Sequence, residues 1–444
     1  MARFRGLLRG IARARMPGRL ATYILPCTTT LCLGPGIGPS PANAQAPAAS
    51  LSASADCVPG LVSEASGSCG TPAPRFYGGI EYLHWWVKGA PLSVPLVSTG
   101  PDSNEEGFLV NSASTILYGA PFSPAVGGND TQNFPGFSGG RLTLGYVLDE
   151  ERKLAAETRF FMLQSRSAGF TAEASSTDFG GPGMRIPVFN TVPYTPGSDT
   201  DLMISENGLP VFIPGILAGK VSITNSLKLW GADATAVYSV YRTSRWELSA
   251  LAGFRYLDLS ENFDLSDTLV GQSGPFVGQS GTVSDHFGTT NQFFGAAVGL
   301  RGGVSWGPVS LGVTGRIAVG PSYEVLNTSG AFQAINFTAS SGAQGIFAQP
   351  SNSGTHSSTV FAVVPEVEVK LGFDITPAVR LTVGYDFIYY SSVVRPGYQL
   401  NRDLPKGQVF EQGGTSISST SPFPLFDKTS FFAQGLSLGV AVRF

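Results

Sequence analysis

Charged side chains recur at alternating positions of several short segments, where they could form ion pairs or line a selective passage. Glu157 and Arg159 stand two residues apart, so on a strand they would face the same side. Buried charges are stable only beside partners of opposite sign, and the two signs are about evenly represented. We predict structural salt bridges, with a charged constriction of a selective pore as the alternative. The inward-facing candidates are Glu81, Arg141, Glu157, Arg159, Asp233, Glu247, Arg255, Arg301, Arg316, Glu366, Glu368, Lys370, Arg380 and Asp386.

Residue types that support catalysis or metal binding are few and scattered. A hydrolase needs a base with an orienting carboxylate or a serine partner, and no histidine lies in a recognisable nucleophile motif. Cysteine and histidine are too sparse for a zinc cluster, and Asp199 and Asp201 lack the spacing of a calcium loop. We therefore predict no enzyme, no cofactor and no metal site. The three histidines are His84, His286 and His356.

The composition indicates a membrane protein without spanning helices. Ordinary soluble domains contain roughly 25% charged residues, whereas this chain of 444 residues contains 13%. Its mean hydropathy of +0.12 is high, yet no segment offers the 18 apolar residues of a spanning helix. Strands can cross lipid only as a closed barrel, because every backbone group must be paired. The net charge of −3 excludes a basic surface for nucleic acid.

Ten segments with a strand pattern could build such a barrel. In the clearest one, Leu381, Val383 and Tyr385 alternate with polar residues, which is typical of a strand with one apolar face. Each is about ten residues or a little more, the length of a tilted spanning strand. The segments are Arg75–Lys88, Phe137–Leu148, Lys153–Ser165, Leu227–Tyr241, Arg245–Leu259, Phe287–Trp306, Pro308–Val319, Thr359–Phe373, Ala378–Ser391 and Thr429–Phe444.

The gaps between the segments alternate between long and short along the whole chain. Outer-membrane barrels have short periplasmic turns and long external loops, so this pattern predicts both termini on the periplasmic side. A barrel of about ten strands is narrow enough to be filled largely by side chains. The short gaps lie near 149–152, 242–244, 307 and 374–377, and the long gaps near 89–136, 166–226, 260–286, 320–358 and 392–428.

The tryptophans agree with this topology, because amphipathic rings favour the two membrane interfaces. All five are predicted near an interface. Trp85, Trp86 and Trp230 fall at external strand ends, and Trp246 and Trp306 fall at periplasmic ends.

The N-terminal region is typical of an exported protein. Residues 1–44 combine a basic stretch, a modestly apolar stretch and a small-residue cleavage pattern at Ala42–Ala44, which predicts a signal peptide. Residues 45–74 are predicted to be a flexible leader, and residues 75–444 form the barrel. Cys57 and Cys69 lie in the leader and could form a small disulfide in an oxidising periplasm or remain two free thiols.

The final segment ends in the aromatic residue Phe444. A C-terminal aromatic strand is the feature that the outer-membrane barrel-assembly machinery recognises, so we expect this machinery and outer-membrane lipid as partners. The expected location is the bacterial outer membrane.

Five blocks of the chain resemble a known family. The chain is similar to the β-barrel porin family numbered seven, of planctomycete outer-membrane proteins, over nearly all of the expected mature region. The resemblance implies an outer-membrane barrel but carries no catalytic or ligand residues. The blocks are Arg75–Leu92, Ser138–Tyr146, Leu251–Leu259, Phe293–Gly302 and Val364–Gly397.

Two functions from different classes remain open. The resemblance favours a passive, porin-like channel for small solutes with a narrow, charge-lined lumen. The balanced interior charge favours a non-conducting surface protein that binds envelope or surface-layer partners through its external loops. Long loops on a rigid scaffold are common places for binding.

Overall fold

A computed structural model describes residues 75–100, 109, 114–122, 127–175, 182–191, 205–336, 342–405 and 421–444. The predicted signal peptide and leader, with Cys57 and Cys69, lie outside these residues, as do Asp199 and Asp201. No helix within the described ranges is long and apolar enough to cross a membrane.

The described residues form eighteen strands and two short 3₁₀ helices, at Gly274–Phe276 and Pro396–Tyr398. In chain order the strands are β1 (Phe76–Val87), β2 (Ala90–Pro91), β3 (Pro95–Gly100), β4 (Thr115–Gly119), β5 (Thr131–Gln132), β6 (Phe137–Val147), β7 (Leu154–Leu163), β8 (Arg166–Ala174), β9 (Gly183–Thr191), β10 (Ser205–Phe212), β11 (Leu217–Arg242), β12 (Trp246–Gly271), β13 (Ser280–Trp306), β14 (Val309–Ile335), β15 (Gly354–Asp374), β16 (Val379–Val394), β17 (Asp403–Pro405) and β18 (Lys428–Arg443).

Ten antiparallel strands close into a barrel. Their order around the ring is β1, β6, β7, β11, β12, β13, β14, β15, β16 and β18, and β8 adds to the free upper edge of β11. The first and last strands close the ring, from Tyr77 opposite Arg443 to Val87 opposite Ala433. Each of the ten predicted segments overlaps one ring strand, which confirms the predicted all-β barrel of about ten strands.

Short turns join neighbouring strands at one end of the barrel, as the gap pattern predicts. The tightest joins β13 to β14 through Gly307 and Pro308. Gly307 has a φ of 59°, a left-handed conformation that favours glycine.

The opposite, long-loop end differs from the prediction, because strands continue where loops were expected. The expected long gaps 166–226, 260–286 and 320–358 instead contain β8 to β10 and the long extensions of β11 to β15. The hairpin between β12 and β13 leaves only residues 272–279 outside the strands. The loop interpretation was therefore wrong for much of these ranges.

The physical reason is an inversion of polarity along the long strands. On β12 the outward residues from Trp246 to Tyr256 are even-numbered and mostly apolar, whereas beyond Asp258 the apolar residues are odd-numbered and buried, as Phe263 and Leu265 are. The lower part of the strand thus faces lipid, and the upper part has the inside-apolar pattern of a soluble β-structure. The predicted segments stop at this point because they were defined by one continuous apolar face.

A belt of aromatic side chains marks the level of this inversion. Phe160, Trp230, Tyr256 and Phe294 lie on four adjacent strands, with successive ring centroids 6.0, 5.0 and 5.0 Å apart. Rings of this kind favour a membrane–water interface. Trp86, Trp246 and Trp306 also face outward and are exposed. Trp85 is the exception to the tryptophan prediction: its side chain points into the barrel and is fully buried.

A second sheet fills the barrel above the aromatic belt. We call it the cap sheet; it contains β10, β9, β3 and β4 in that order, with β17 parallel to β9. Its Ile186, Val188 and Leu96 pack against inward residues of the extended wall, including Ile223 and Phe263. The upper wall and the cap sheet thus share one apolar core.

The connection after β14 also folds inward. Ile346, Phe347 and Ala348 are fully buried, and their backbone N–H groups donate to the carboxylate of Asp285 at 3.1, 3.1 and 2.7 Å. Asp285 thereby satisfies three backbone donors that burial would otherwise leave unpaired.

Candidate functional site

Twelve charged side chains meet inside the lower half of the barrel, and we call them the charge layer. Six are basic and six are acidic, and they come from nine of the ten ring strands. Because the signs balance, the layer can be buried without net charge. Its members are Arg141, Arg159, Arg255, Arg301, Arg316 and Lys370 with Glu81, Glu157, Asp233, Glu366, Glu368 and Asp386.

The charge layer crosses the bore rather than following its wall. Arg159 on β7 contacts Glu366 and Glu368 on β15 at 2.7 and 3.1 Å. Strands β7 and β15 are five positions apart in either direction around the ten-membered ring, so they are diametrically opposed. Side chains from opposite walls therefore meet in the middle of the bore at this level.

Neighbouring pairs hold these side chains in place. Arg141 contacts Asp386 at 2.8 Å and also pairs closely with Glu81. Arg255 contacts Asp233 at 2.6 Å and pairs closely with Glu366. The sequence predicts that these charges face inward. It does not predict which of them pair with each other.

Two of the predicted lumen charges lie outside this network. Glu247 and Arg380 lie nearer the short turns. Arg380 pairs at 2.6 Å with Asp374, the last residue of β15, and Glu247 lines the cavity described below.

An apolar layer crosses the bore immediately above the charge layer. Trp85 packs against Phe161 with ring centroids 5.4 Å apart, and Phe293 packs against Tyr390 at 5.8 Å. All ten ring strands contribute buried residues to it. They are Leu83, Trp85, Phe137, Phe161, Leu163, Leu227, Leu229, Leu257, Leu259, Phe293, Ala318, Ala362, Val364, Ile388, Tyr390, Val393, Phe431 and Ala433.

Sequence reasoning missed this layer because its residues are apolar on a face expected to be polar. The available signal was local: Leu227 and Leu229, or Leu257 and Leu259, interrupt the inward polar series of their strands. A lone apolar pair of this kind does not reveal that ten strands supply it at one height.

A buried ion pair beside the apolar layer links β12 to the segments that follow β16 and β1. Arg395 makes a bidentate contact with Glu261, at 2.6 and 2.8 Å, and donates to the backbone oxygen of Gly89 at 2.7 Å. Both side chains are buried. Arg395 lies in one of the blocks that carry the family resemblance, but Glu261 was assigned to a loop, so the pairing was not predicted.

Below the charge layer lies a cavity of about 200 Å³ that reaches toward the short turns. Gly79, Gly303, Gly312 and Gly372 line it. Small inward residues at this height leave the space that larger side chains fill farther up.

The histidines do not converge. His84 packs edge-on against Trp86, with ring centroids 5.0 Å apart. His286 Nδ1 lies 2.7 Å from Asp264 Oδ1 on the exposed outer wall, so it has the orienting carboxylate that the sequence did not reveal. Among the described residues no group of three metal-ligating side chains comes together.

Phe444 lies at the seam of the barrel. Its backbone N–H donates to the oxygen of Phe76 at 3.1 Å, and the N–H of Phe76 returns a bond of 3.2 Å. Its side chain is exposed on the outer surface.

Comparison with known proteins identifies the family. The model of the family described as Putative beta barrel porin-7 matches residues 77–444, which is nearly the whole described region. No curated protein sequence matches the chain.

Solved structures similar to the chain include other bacterial outer-membrane proteins. The outer membrane protease OmpT of Escherichia coli is 11% identical, with 85% of this chain and 99% of that chain covered and a TM-score of 0.40. The outer membrane channel DcaP of Acinetobacter baumannii is 9% identical, with 83% and 96% covered and a TM-score of 0.17. A FadL homologue of Pseudomonas aeruginosa is 8% identical, with 84% and 92% covered and a TM-score of 0.20. At these TM-scores the three similarities do not indicate the activity of this chain.

Proposed function

The chain belongs to the family described as Putative beta barrel porin-7, and we propose that this member is a closed barrel that presents a folded cap at the cell surface. It is a porin-like β-barrel of the bacterial outer membrane. Because side chains fill the lumen, we favour the surface-protein function over the channel.

One observation carries this proposal: Arg159 reaches Glu366 and Glu368 across the full diameter of the bore, directly below an apolar layer supplied by all ten strands. A solute would have to separate buried ion pairs and then part a packed apolar layer. Breaking one buried pair alone costs about 3–5 kcal/mol, so the closed state is strongly favoured.

The surface role rests on the extended wall. Above the aromatic belt, the outward face of β11 carries Lys220, Thr224 and Lys228, while the inward face packs on the cap sheet. This polar exterior over an apolar core is the pattern of a folded extracellular domain. We infer that envelope or surface-layer components bind there, and that the assembly machinery recognises the strand ending in Phe444.

We also infer that the barrel is not an enzyme. The His286–Asp264 pair lies on the exposed outer wall, and within the described residues no observation joins a nucleophile to it. A pair exposed to solvent lacks the preorganised, water-excluded environment on which enzymatic catalysis depends.

Passive transport of small solutes is the second candidate. The family description and the cavity below the charge layer favour it. Conduction would require side chains of both the charge layer and the apolar layer to move out of the bore. Only a small solute would pass through the resulting opening.

Liposome swelling in a small sugar distinguishes the two functions. We expect the wild-type protein, once folded into liposomes, to swell them no faster than empty liposomes do. A known open porin folded into the same liposomes is the positive control, and a heat-dependent gel shift verifies that both proteins are folded. Rapid swelling by the wild-type protein would overturn the closed-barrel proposal and support the channel.

A further inference from the structure

Arg316 differs from the other arginines of the charge layer in how its charge is satisfied. Its nearest carboxylate contacts are 3.5 Å to Glu157, 3.8 Å to Glu366 and 4.0 Å to Asp233. By contrast, Arg159 and Arg301 reach carboxylates at 2.7 and 2.8 Å. The guanidinium of Arg316 is therefore attracted to its neighbours without being held by any one of them.

The same side chain has unused donors. Its Nε and Nη1 atoms make no hydrogen bond within the described part of the chain, although the side chain is only 6% exposed. Buried N–H groups of native proteins are nearly always paired, and charged donors form their strongest bonds with oxyanions. Arg316 also lines the cavity below the charge layer.

We propose that this cavity is a binding site for a small oxyanion, of the phosphate or carboxylate class, and that Arg316 is its principal ligand. The site opens toward the periplasmic turns and is separate from the cell-surface role proposed above. It does not depend on whether the barrel conducts.

The charge around the cavity favours an anion. The charge layer itself is neutral. Below it the cavity is lined by three further basic residues, Arg245, Arg380 and Arg443, against one acidic residue, Glu247. Because Asp374 pairs with Arg380, the excess around the cavity is one positive charge. Cations concentrated around a cleft with low-dielectric walls raise the local concentration of anions.

The cavity also has the necessary room. Its volume is about 200 Å³, whereas a single water needs about 10–15 Å³ on the same measure. Gly312 lies on the inward face of β14, and a Cβ added there would come no nearer than 3.9 Å to any other atom. The part of the cavity beside Gly312 is thus open and can be filled by a larger side chain.

The test is calorimetric titration of inorganic phosphate into the folded, detergent-solubilised full chain, at constant ionic strength and with sodium chloride as the control ion. We expect saturable phosphate binding by the wild-type protein. Gly312→Leu fills the cavity without removing a charge and should weaken binding by about tenfold or more. Arg316→Gln should have a similar effect through the lost charged hydrogen bonds.

Gly315→Leu is the matched control. Gly315 lies on the lipid-facing side of the same strand, and a Cβ there meets nothing within 4 Å, so binding should be unchanged. The heat-dependent gel shift confirms that each variant is folded. Absence of saturable binding by the wild-type protein would overturn the proposal, as would equal binding by the Gly312→Leu and Gly315→Leu variants.

Discussion

At the scale of single residues, the barrel interior is held together by opposite charges that no solvent separates. Arg159 contacts three carboxylates, those of Asp233, Glu366 and Glu368, and all four side chains are buried or nearly so. The sequence predicted which side chains face inward, because strand alternation fixes that. It could not predict the partners, because they come from strands far apart in the chain and opposite in the ring.

Removal of Arg159 tests the strength of this network. We expect Arg159→Met to lower the free energy of unfolding by about 3 kcal/mol or more, because it leaves several buried carboxylates without their shared partner. Urea titration in detergent micelles measures the change. Lys153→Met is the control, since the Lys153–Glu151 pair is solvent-exposed and should have no measurable effect. Equal changes in the free energy of unfolding for the two substitutions would show that the buried network stabilises the fold no more than an exposed ion pair does.

Two acidic residues of the extended wall should make the stability of the protein depend on pH. Asp267 and Asp285 lie on the extended wall beyond the aromatic belt, outside the lipid-facing part of their strands. Burial raises the pKa of Asp267 to about 8, with a further contribution from the charge of Asp285. Burial also raises the pKa of Asp285 to about 6, although the N–H groups of residues 346–348 partly oppose this shift.

The sign of the pH effect follows from these shifts. A carboxyl whose folded-state pKa is raised binds its proton more tightly in the folded state, so its stabilising effect is present below the unfolded pKa of about 3.9. That contribution is lost as the pH rises through about 6 and then about 8. We expect the urea midpoint of the wild-type protein to fall from about pH 4 to about pH 8 and to level off above it. Asp267→Asn should flatten the upper part of this dependence, and an unchanged slope in that variant would contradict the assignment.

At the scale of elements, the long strands change environment along their length. The outward face of β13 carries Val298 and Leu300 below the aromatic belt, but Ser284 and His286 above it. The ten segments were predictable because alternation is strong in the lipid-facing part. Their extensions were not, because the apolar residues move to the other face at the inversion, and the cap sheet that buries them comes from distant parts of the chain.

A pair of arginine substitutions on β13 locates the membrane boundary. Val298 and Ser284 both face outward on this strand, and Val298 is 57% exposed to the surroundings of the barrel. We expect Val298→Arg to reduce folding stability in bilayers by about 2–4 kcal/mol, the usual cost of arginine near the lipid midplane. Ser284→Arg should be nearly neutral because that position faces water. Reversible folding into liposomes gives both values, and a large cost at Ser284 would place lipid at the level of the extended wall.

At the scale of the whole molecule, three structures stand in series above the periplasmic cavity: the charge layer, the apolar layer and the cap sheet. The resemblance implied the outer-membrane barrel, and the family match confirms it. Whether such a barrel is open depends on side chains that meet at one height from all ten strands. That property belongs to the assembled ring, so no single segment of the sequence reveals it.

Single-channel conductance of the refolded protein in a planar bilayer tests the closed lumen most directly. We expect no conductance steps from the wild-type protein under conditions where a known open porin gives steps, because the charge layer, the apolar layer and the cap sheet obstruct the bore in series. Stable steps from the wild-type protein at low voltage would contradict the closed barrel.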